Sequence, residues 1–80
     1  MALVQVRLFA VARAKAGKDL ITCQPGSLAS IIESLGTHGE LASVLPQCSY
    51  LVDGLASTDL NQNISAASTI DVLPRFAGGA

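Results

Sequence analysis

Pro25-Gly26-Ser27-Leu28-Ala29-Ser30-Ile31-Ile32-Glu33-Ser34-Leu35-Gly36 decides how this chain folds. Leu28, Ile31, Ile32 and Leu35 recur at i, i+3, i+4 and i+7, which draws one apolar stripe along a helix. Ala29, Ser30, Glu33 and Ser34 take the opposite side. Pro25-Gly26 turns the chain, the Ser27 hydroxyl is placed to accept a bond from a free N–H of the first turn, and Gly36 is placed to cap the end. A helix with a single apolar stripe needs a sheet or another helix to cover it.

The flanking sequence supplies the sheet. Leu3 to Phe9 alternates, with Val4, Val6 and Leu8 pointing one way and Gln5, Arg7 and Phe9 the other. The first set is the expected seat of the helix. Ala10 to Ala16 is alanine-rich, carries Arg13 and Lys15, and reads as one helical turn or a loop that Gly17 ends. Lys18 to Gln24 is a second strand, Leu20, Thr22 and Gln24 alternating against Ile21 and Cys23, and forms a hairpin with the first. Beyond the helix, Leu41, Val44 and Leu45 make a shorter helical stripe, stopped by Pro46. Ser49 to Asp53 is a third strand, Asp53-Gly54 a tight turn, and Leu55 to Asp59 a brief return strand. Residues 60–68 are polar and irregular, with Leu60 and Ile64 anchoring them to the core. Thr69 to Leu73 is the last strand, Ile70 and Val72 on one face, Asp71 and Leu73 on the other, and Pro74 closes it.

This order gives an α+β fold of the β-grasp type: a mixed sheet of four to five strands with one main helix packed on one face. The last strand returns beside the first through a right-handed crossover. Residues 1–74 form the β-grasp domain, and residues 75–80, Arg75-Phe76-Ala77-Gly78-Gly79-Ala80, a flexible arm. Two adjacent glycines fit an extended path through a channel too narrow for side chains.

Composition removes several function classes. A chain of 80 residues that is 50% hydrophobic and 14% charged, with mean hydropathy +0.49, has the make-up of one small packed domain. Its short apolar runs fall far below the ~20 residues of a membrane-spanning helix. The N-terminus lacks the basic start and apolar block of a signal peptide, so the expected location is cytoplasmic. A net charge of −1 with 4% aromatic residues leaves neither a basic footprint nor a stacking platform for nucleic acid. Cys23 and Cys48 have no CxxC spacing and read as reduced, semi-buried thiols. His38 stands alone in an expected turn between Thr37 and Gly39, which gives neither a metal site nor a Cys-His nucleophile. With no phosphate loop, metal cluster or triad, the expectation is a non-enzyme that binds no cofactor of its own.

Val6-Arg7-Leu8-Phe9-Ala10 followed by a basic, alanine-rich stretch and Gly17, then Val52-Asp53-Gly54, then Val72-Leu73-Pro74 running into Phe76-Ala77-Gly78-Gly79, resemble the ubiquitin-like sulfur carriers of the MoaD/ThiS type. The small subunit of molybdopterin synthase is the most similar group; the thiamine-pathway and cysteine-pathway carriers are more distant. The resemblance implies that an adenylating enzyme of the ubiquitin-activating type uses ATP to activate the Gly79 carboxylate. Sulfur transfer then gives a thiocarboxylate, which a sulfur-accepting synthase consumes; in the molybdopterin case that is the large subunit of the synthase. Such a carrier is itself a reagent. It needs a carboxylate on a thin arm, supplied by Gly78 and Gly79, and a rigid body whose docking raises the arm's effective concentration in a partner's active site.

Docking is expected on the sheet face opposite the helix. There Phe9 and Leu73, joined by Leu55, form an apolar patch beside the exit at Pro74, with Arg75 and Phe76 contributing from the arm. The alternative for Phe9 is a core position under residues 10–16. Arg75 stands where the resembled small subunits often have a second proline. Ala80 is a further departure, because those carriers end at the second glycine. It is a residue that a processing protease removes, an artificial extension, or the mark of a relative that has lost thiolation. A ubiquitin-like modifier joined to lysines and a plain β-grasp interaction domain are the rival functions.

Overall fold

The computed structural model describes residues 3–74. At its centre is the expected helix, α2 (Leu28–Leu35), with Leu28, Ile31 and Leu35 buried and Ile32 partly buried against the same core. Removing each of these side chains from water contributes roughly 1.5–3 kcal/mol. Ser27 caps the helix: its Oγ accepts from the Ser30 N–H at 3.1 Å. The two preceding N–H groups are also satisfied, since Leu28 donates to the Gln62 carbonyl (2.9 Å) and Ala29 to that of Leu60 (3.0 Å). No donor of this first turn is left for a ligand.

Five strands form the main sheet: β1 (Val4–Leu8), β2 (Leu20–Cys23), β4 (Cys48–Val52), β5 (Leu55–Ser57) and β7 (Thr69–Pro74), in the spatial order β2-β1-β7-β4-β5. β1 and β7 run parallel side by side, and every other neighbouring pair is antiparallel. This is the β-grasp arrangement, and the connection from β1 to β7 spans most of the chain. Two short strands, β3 (Gly26–Ser27) and β6 (Asn63–Ile64), pair separately and tie residues 60–64 to the start of α2.

The register sorts side chains into two faces. Ile21, Val6, Ile70, Val52 and Leu55 follow one another across the sheet on the face toward α2. The adjacent rung, Leu20, Arg7, Asp71, Leu51 and Ala56, lies on the face away from it. Val4, Val6, Ile70 and Val72 are fully buried under α2, together with Leu41, and Ile64 is nearly so.

Several local expectations change. Residues 10–16 are a true helix, α1 (Ala10–Ala16), which packs Ala12 inward and ends where Gly17 adopts a left-handed φ of 76° and donates to the Arg13 carbonyl. Pro46 does not stop a helix. It sits near the start of the second of two 3₁₀ turns, Leu41–Ser43 and Leu45–Gln47, where its missing N–H costs nothing. Leu60 is 52% exposed, so Ile64 alone anchors that loop. Asp53 and Gly54 both have positive φ (50° and 86°), the two-residue hairpin geometry that right-twisted strands favour. Asp53 also accepts from the Thr69 N–H through Oδ1 at 2.9 Å, locking this hairpin to the start of β7.

Gly39 joins the loop after α2 to α1. Its φ is +53°, a Cβ there would lie 2.7 Å from the Lys15 carbonyl oxygen, and the next N–H, of Glu40, donates to that same oxygen. Gly17 has a similar φ of +76° but open space around it. Gly39→Ala is therefore expected to cost ~2–3 kcal/mol in urea unfolding and Gly17→Ala about 1 kcal/mol, because only the first adds a backbone clash to left-handed strain. Equal losses would show that α1 and the loop are not held together at Gly39.

Candidate functional site

The sheet face away from α2 carries the candidate site. Leu8 is the last residue of β1, and Phe9 follows in an extended conformation (φ −127°, ψ 152°) before the chain turns into α1. The turn forces Ala10 into a left-handed φ of 52°, a strain of about 1–2 kcal/mol for a residue with a Cβ. Phe9 is 38% exposed rather than folded under α1. It lies one residue past the Leu8–Val72 pair of the parallel ladder, and Leu73 occupies the matching place on β7, half-buried. The structure thus brings Phe9, Leu73 and Pro74 to the same end of two adjacent central strands.

Leu55 does not join them. It is 74% exposed, but it pairs with Val52 and so belongs to the face that α2 covers, at the far edge of the sheet. Alternation counted from a strand beginning at Leu55 has no fixed phase until its partner is known. The residues that extend the outer face are Leu20 on β2 and Leu51 on β4, which sequence reasoning had not singled out. Of the expected site residues, Arg75, Phe76, Gly78 and Gly79 lie outside the described residues, as do Ala80 and the whole 75–80 arm.

Between Leu20 and Leu51 the face holds an ion pair. Arg7 donates from Nε to Asp71 Oδ1 at 2.6 Å and from Nη2 to Oδ2 at 2.9 Å, a two-pronged fork. Asp71 is only 9% exposed, and its hydrogen bonds and charge raise the Arg7 pKa further above its already high value. The Arg7 guanidinium carbon also lies 5.9 Å over the centre of the Phe9 ring. Arg7 and Asp71 share side-chain parity on neighbouring strands, which was the available signal for pairing them.

The nucleophilic and titratable groups on the other face are structural. Cys23 and Cys48 are free and buried, and burial pushes both thiols up. The strands bearing them are separated by β1 and β7, which places the cysteines about 14 Å apart or more, beyond the reach of a disulfide. Cys48 donates to the Val44 carbonyl at 3.2 Å. Among the described residues, no group of three or more His, Cys, Asp or Glu is placed to hold a metal, and no helix is long and apolar enough to cross a membrane.

A family model matches the sequence: the ThiS family covers residues 6–79. The chain belongs to the ThiS family. Its members are ubiquitin-like sulfur carriers of the ThiS/MoaD type, which act as carrier proteins and not as catalysts. No curated protein matches the chain by sequence. Solved structures match over nearly the whole fold. Small archaeal modifier protein 1 from Haloferax volcanii superposes with a TM-score of 0.83 at 20% identity, over 96% of this chain and 99% of that one. The Methanosarcina acetivorans small archaeal modifier protein 1 gives 0.83 at 23% identity, over 99% and 98%. A chain from the complex of subunits 1 and 2 of the Helicobacter pylori molybdopterin-converting factor gives 0.77 at 21% identity, over 96% and 99%. At these identities the likeness establishes the fold that this ThiS-family chain shares with both kinds of protein.

Tyr50 is the one tyrosine of a chain without tryptophan; its OH donates to the Leu45 carbonyl at 3.0 Å. Burial, followed by the charge of Cys48, pushes its pKa from 10.0 up to about 12. The folded state thus holds the phenolic proton more tightly than the unfolded one, a stabilisation complete below pH 10 and lost as pH rises toward 12. Ultraviolet titration is expected to show one phenolate transition near 12, moving to about 10 in denaturant. A native transition at 10 would mean that Tyr50 is not docked on Leu45.

Proposed function

We propose that this ThiS-family chain is a sulfur carrier whose Gly79 carboxylate is adenylated and then thiolated, with molybdopterin synthesis as the destination of the sulfur. The observation that carries the reading is the extent of the family match, which continues past the end of β7 and stops at Gly79, one residue short of Ala80. An adenylating enzyme of the ubiquitin-activating type binds ATP and presents it to the carboxylate. The carboxylate attacks the α-phosphorus and pyrophosphate leaves. The outer sulfur of a donor cysteine persulfide then attacks the acyl carbon and AMP leaves; a second thiol attacks the donor-side sulfur of the resulting acyl disulfide, which forms a donor disulfide and releases the thiocarboxylate. Any residue after Gly79 has to be removed first, because only a free carboxylate can attack; this gives a processing protease a place among the partners.

The large subunit of molybdopterin synthase is the proposed acceptor. Support comes from the Leu73-Pro74 and Phe76-Ala77-Gly78-Gly79 ending, and from the similar fold of a protein crystallised with its molybdopterin-converting partner subunit. The outer face around Phe9 and Leu73 would dock the body while Pro74, with its fixed φ, sets the direction in which residues 75–79 leave. The small archaeal modifier proteins superpose with a higher TM-score, 0.83 against 0.77, and they favour a second reading in which the activated Gly79 is joined to lysines of other proteins.

ATP–pyrophosphate exchange by the source organism's adenylating enzyme tests the first step that both readings share. A chain ending at Gly79 is expected to support exchange, and the chain retaining Ala80 to do so poorly or not at all. A chain shortened to Ala77 is expected to be inert. Equal exchange with and without Gly78-Gly79 would contradict the proposal. In cells, appearance of high-molecular-weight conjugates that depend on Gly79 would select the modifier reading over the synthase.

A further inference from the structure

The central rung of the outer face contains a polar cluster that the proposed thiolation does not use. Asp71 is 9% exposed, and both of its oxygens are taken by Arg7. On the same rung, Leu20 flanks Arg7 on one side and Leu51 flanks Asp71 on the other. Burying the Asp71 carboxylate among these apolar neighbours carries a desolvation cost that an apolar side chain would avoid, while Arg7 stays largely exposed. In a chain with only 14% charged residues, placing one there points to a use.

The geometry defines that use. The fork engages Nε and one hydrogen of Nη2, so Nη1 and the remaining Nη2 hydrogen are donors that Asp71 does not satisfy. The Arg7 side chain is 55% exposed, so these donors are open to a partner. Phe9 stands against the same guanidinium at 5.9 Å, on a backbone turn held by the strained Ala10. An aromatic ring and a planar donor group are thereby fixed side by side, next to Leu73 and the end of β7.

We propose that Asp71, Arg7 and Phe9 form a preorganised anchor of the docking face. Asp71 fixes Arg7, Arg7 fixes the Phe9 ring, and the free guanidinium donors select a partner that sets an oxygen acceptor at the rim of an apolar pocket. Arg7 is here a positioning and specificity-determining residue. The inference rests on the carrier reading, since the partner it addresses is the adenylating enzyme.

Calorimetric binding of the source organism's adenylating enzyme to four chains tests it: the unaltered chain, Phe9→Ala, the double variant Arg7→Leu/Asp71→Leu, and the triple combination. The double variant fills the rung with apolar side chains and leaves no carboxylate unpaired, so its melting temperature is expected to hold or rise. Phe9→Ala and the double variant are each expected to weaken binding about tenfold or more, and the triple variant by less than the product of the two, because both act through one ring. Binding of the double variant equal to that of the unaltered chain overturns the proposal, and so does a triple variant whose loss is the full product. Should the double variant not fold, Arg7→Lys answers the same question, for it keeps the charge beside Asp71 without the fork or the plane; unchanged affinity there also overturns it. If Phe9→Ala binds like the unaltered chain, this face is not the docking surface and the anchor falls, while pyrophosphate exchange still decides the carrier reading separately.

Discussion

The parallel pairing of β1 with β7 is the constraint on which the rest of this structure depends. It aligns Gln5 with Thr69, Val6 with Ile70, Arg7 with Asp71 and Leu8 with Val72 across a separation of 64 residues. A pairing this distant in sequence carries a loop-closure cost that only burial can offset. Val6, Ile70 and Val72 are fully buried beneath α2, and Leu8 is nearly so. The same pairing has a second consequence on the opposite face. It places Arg7 beside Asp71 and brings Phe9 next to Leu73, so the two ends of the domain create one surface. Neither strand could present that surface alone.

The intervening chain is organised to hold this arrangement still. Asn63–Ile64 pair with Gly26–Ser27, and Leu60 and Gln62 hand carbonyls to the first turn of α2, so one loop serves as strand partner and helix cap. Asp53 ties the β4–β5 hairpin to Thr69, and Gly39 brings the loop after α2 against the Lys15 carbonyl of α1. Cysteines, the tyrosine and the helix N-terminus are all engaged in packing or hydrogen bonding. Under the proposed carrier role, the chemistry belongs to the Gly79 carboxylate and the body contributes shape and orientation.

How much of this was legible in the sequence depended on whether a signal was local. The α2 stripe, the Ser27 cap, the alternation of β1 and β7 and the Asp53-Gly54 turn are written in neighbouring residues, and each appears where periodicity put it. The failures are non-local. The face of Leu55 is set by its pairing with Val52, which no pattern of three residues reveals. Asn63–Ile64 is too short and polar to read as a strand, and becomes one only because Gly26 and Ser27 lie beside it. Leu60 is hydrophobic but spends its backbone on α2 and leaves its side chain exposed. The Arg7–Asp71 fork needed the parallel register, although each residue had been assigned to the outer face.

The proposed carrier role is tested most directly at the Gly79 carboxylate. The decisive measurement is the intact mass of the chain ending at Gly79 after incubation with ATP, the adenylating enzyme and a sulfur donor. The account predicts a gain equal to the exchange of one oxygen for sulfur, located by fragmentation to Gly79. An unchanged mass under conditions that sustain pyrophosphate exchange, or sulfur found on Cys23 or Cys48 instead, would contradict it.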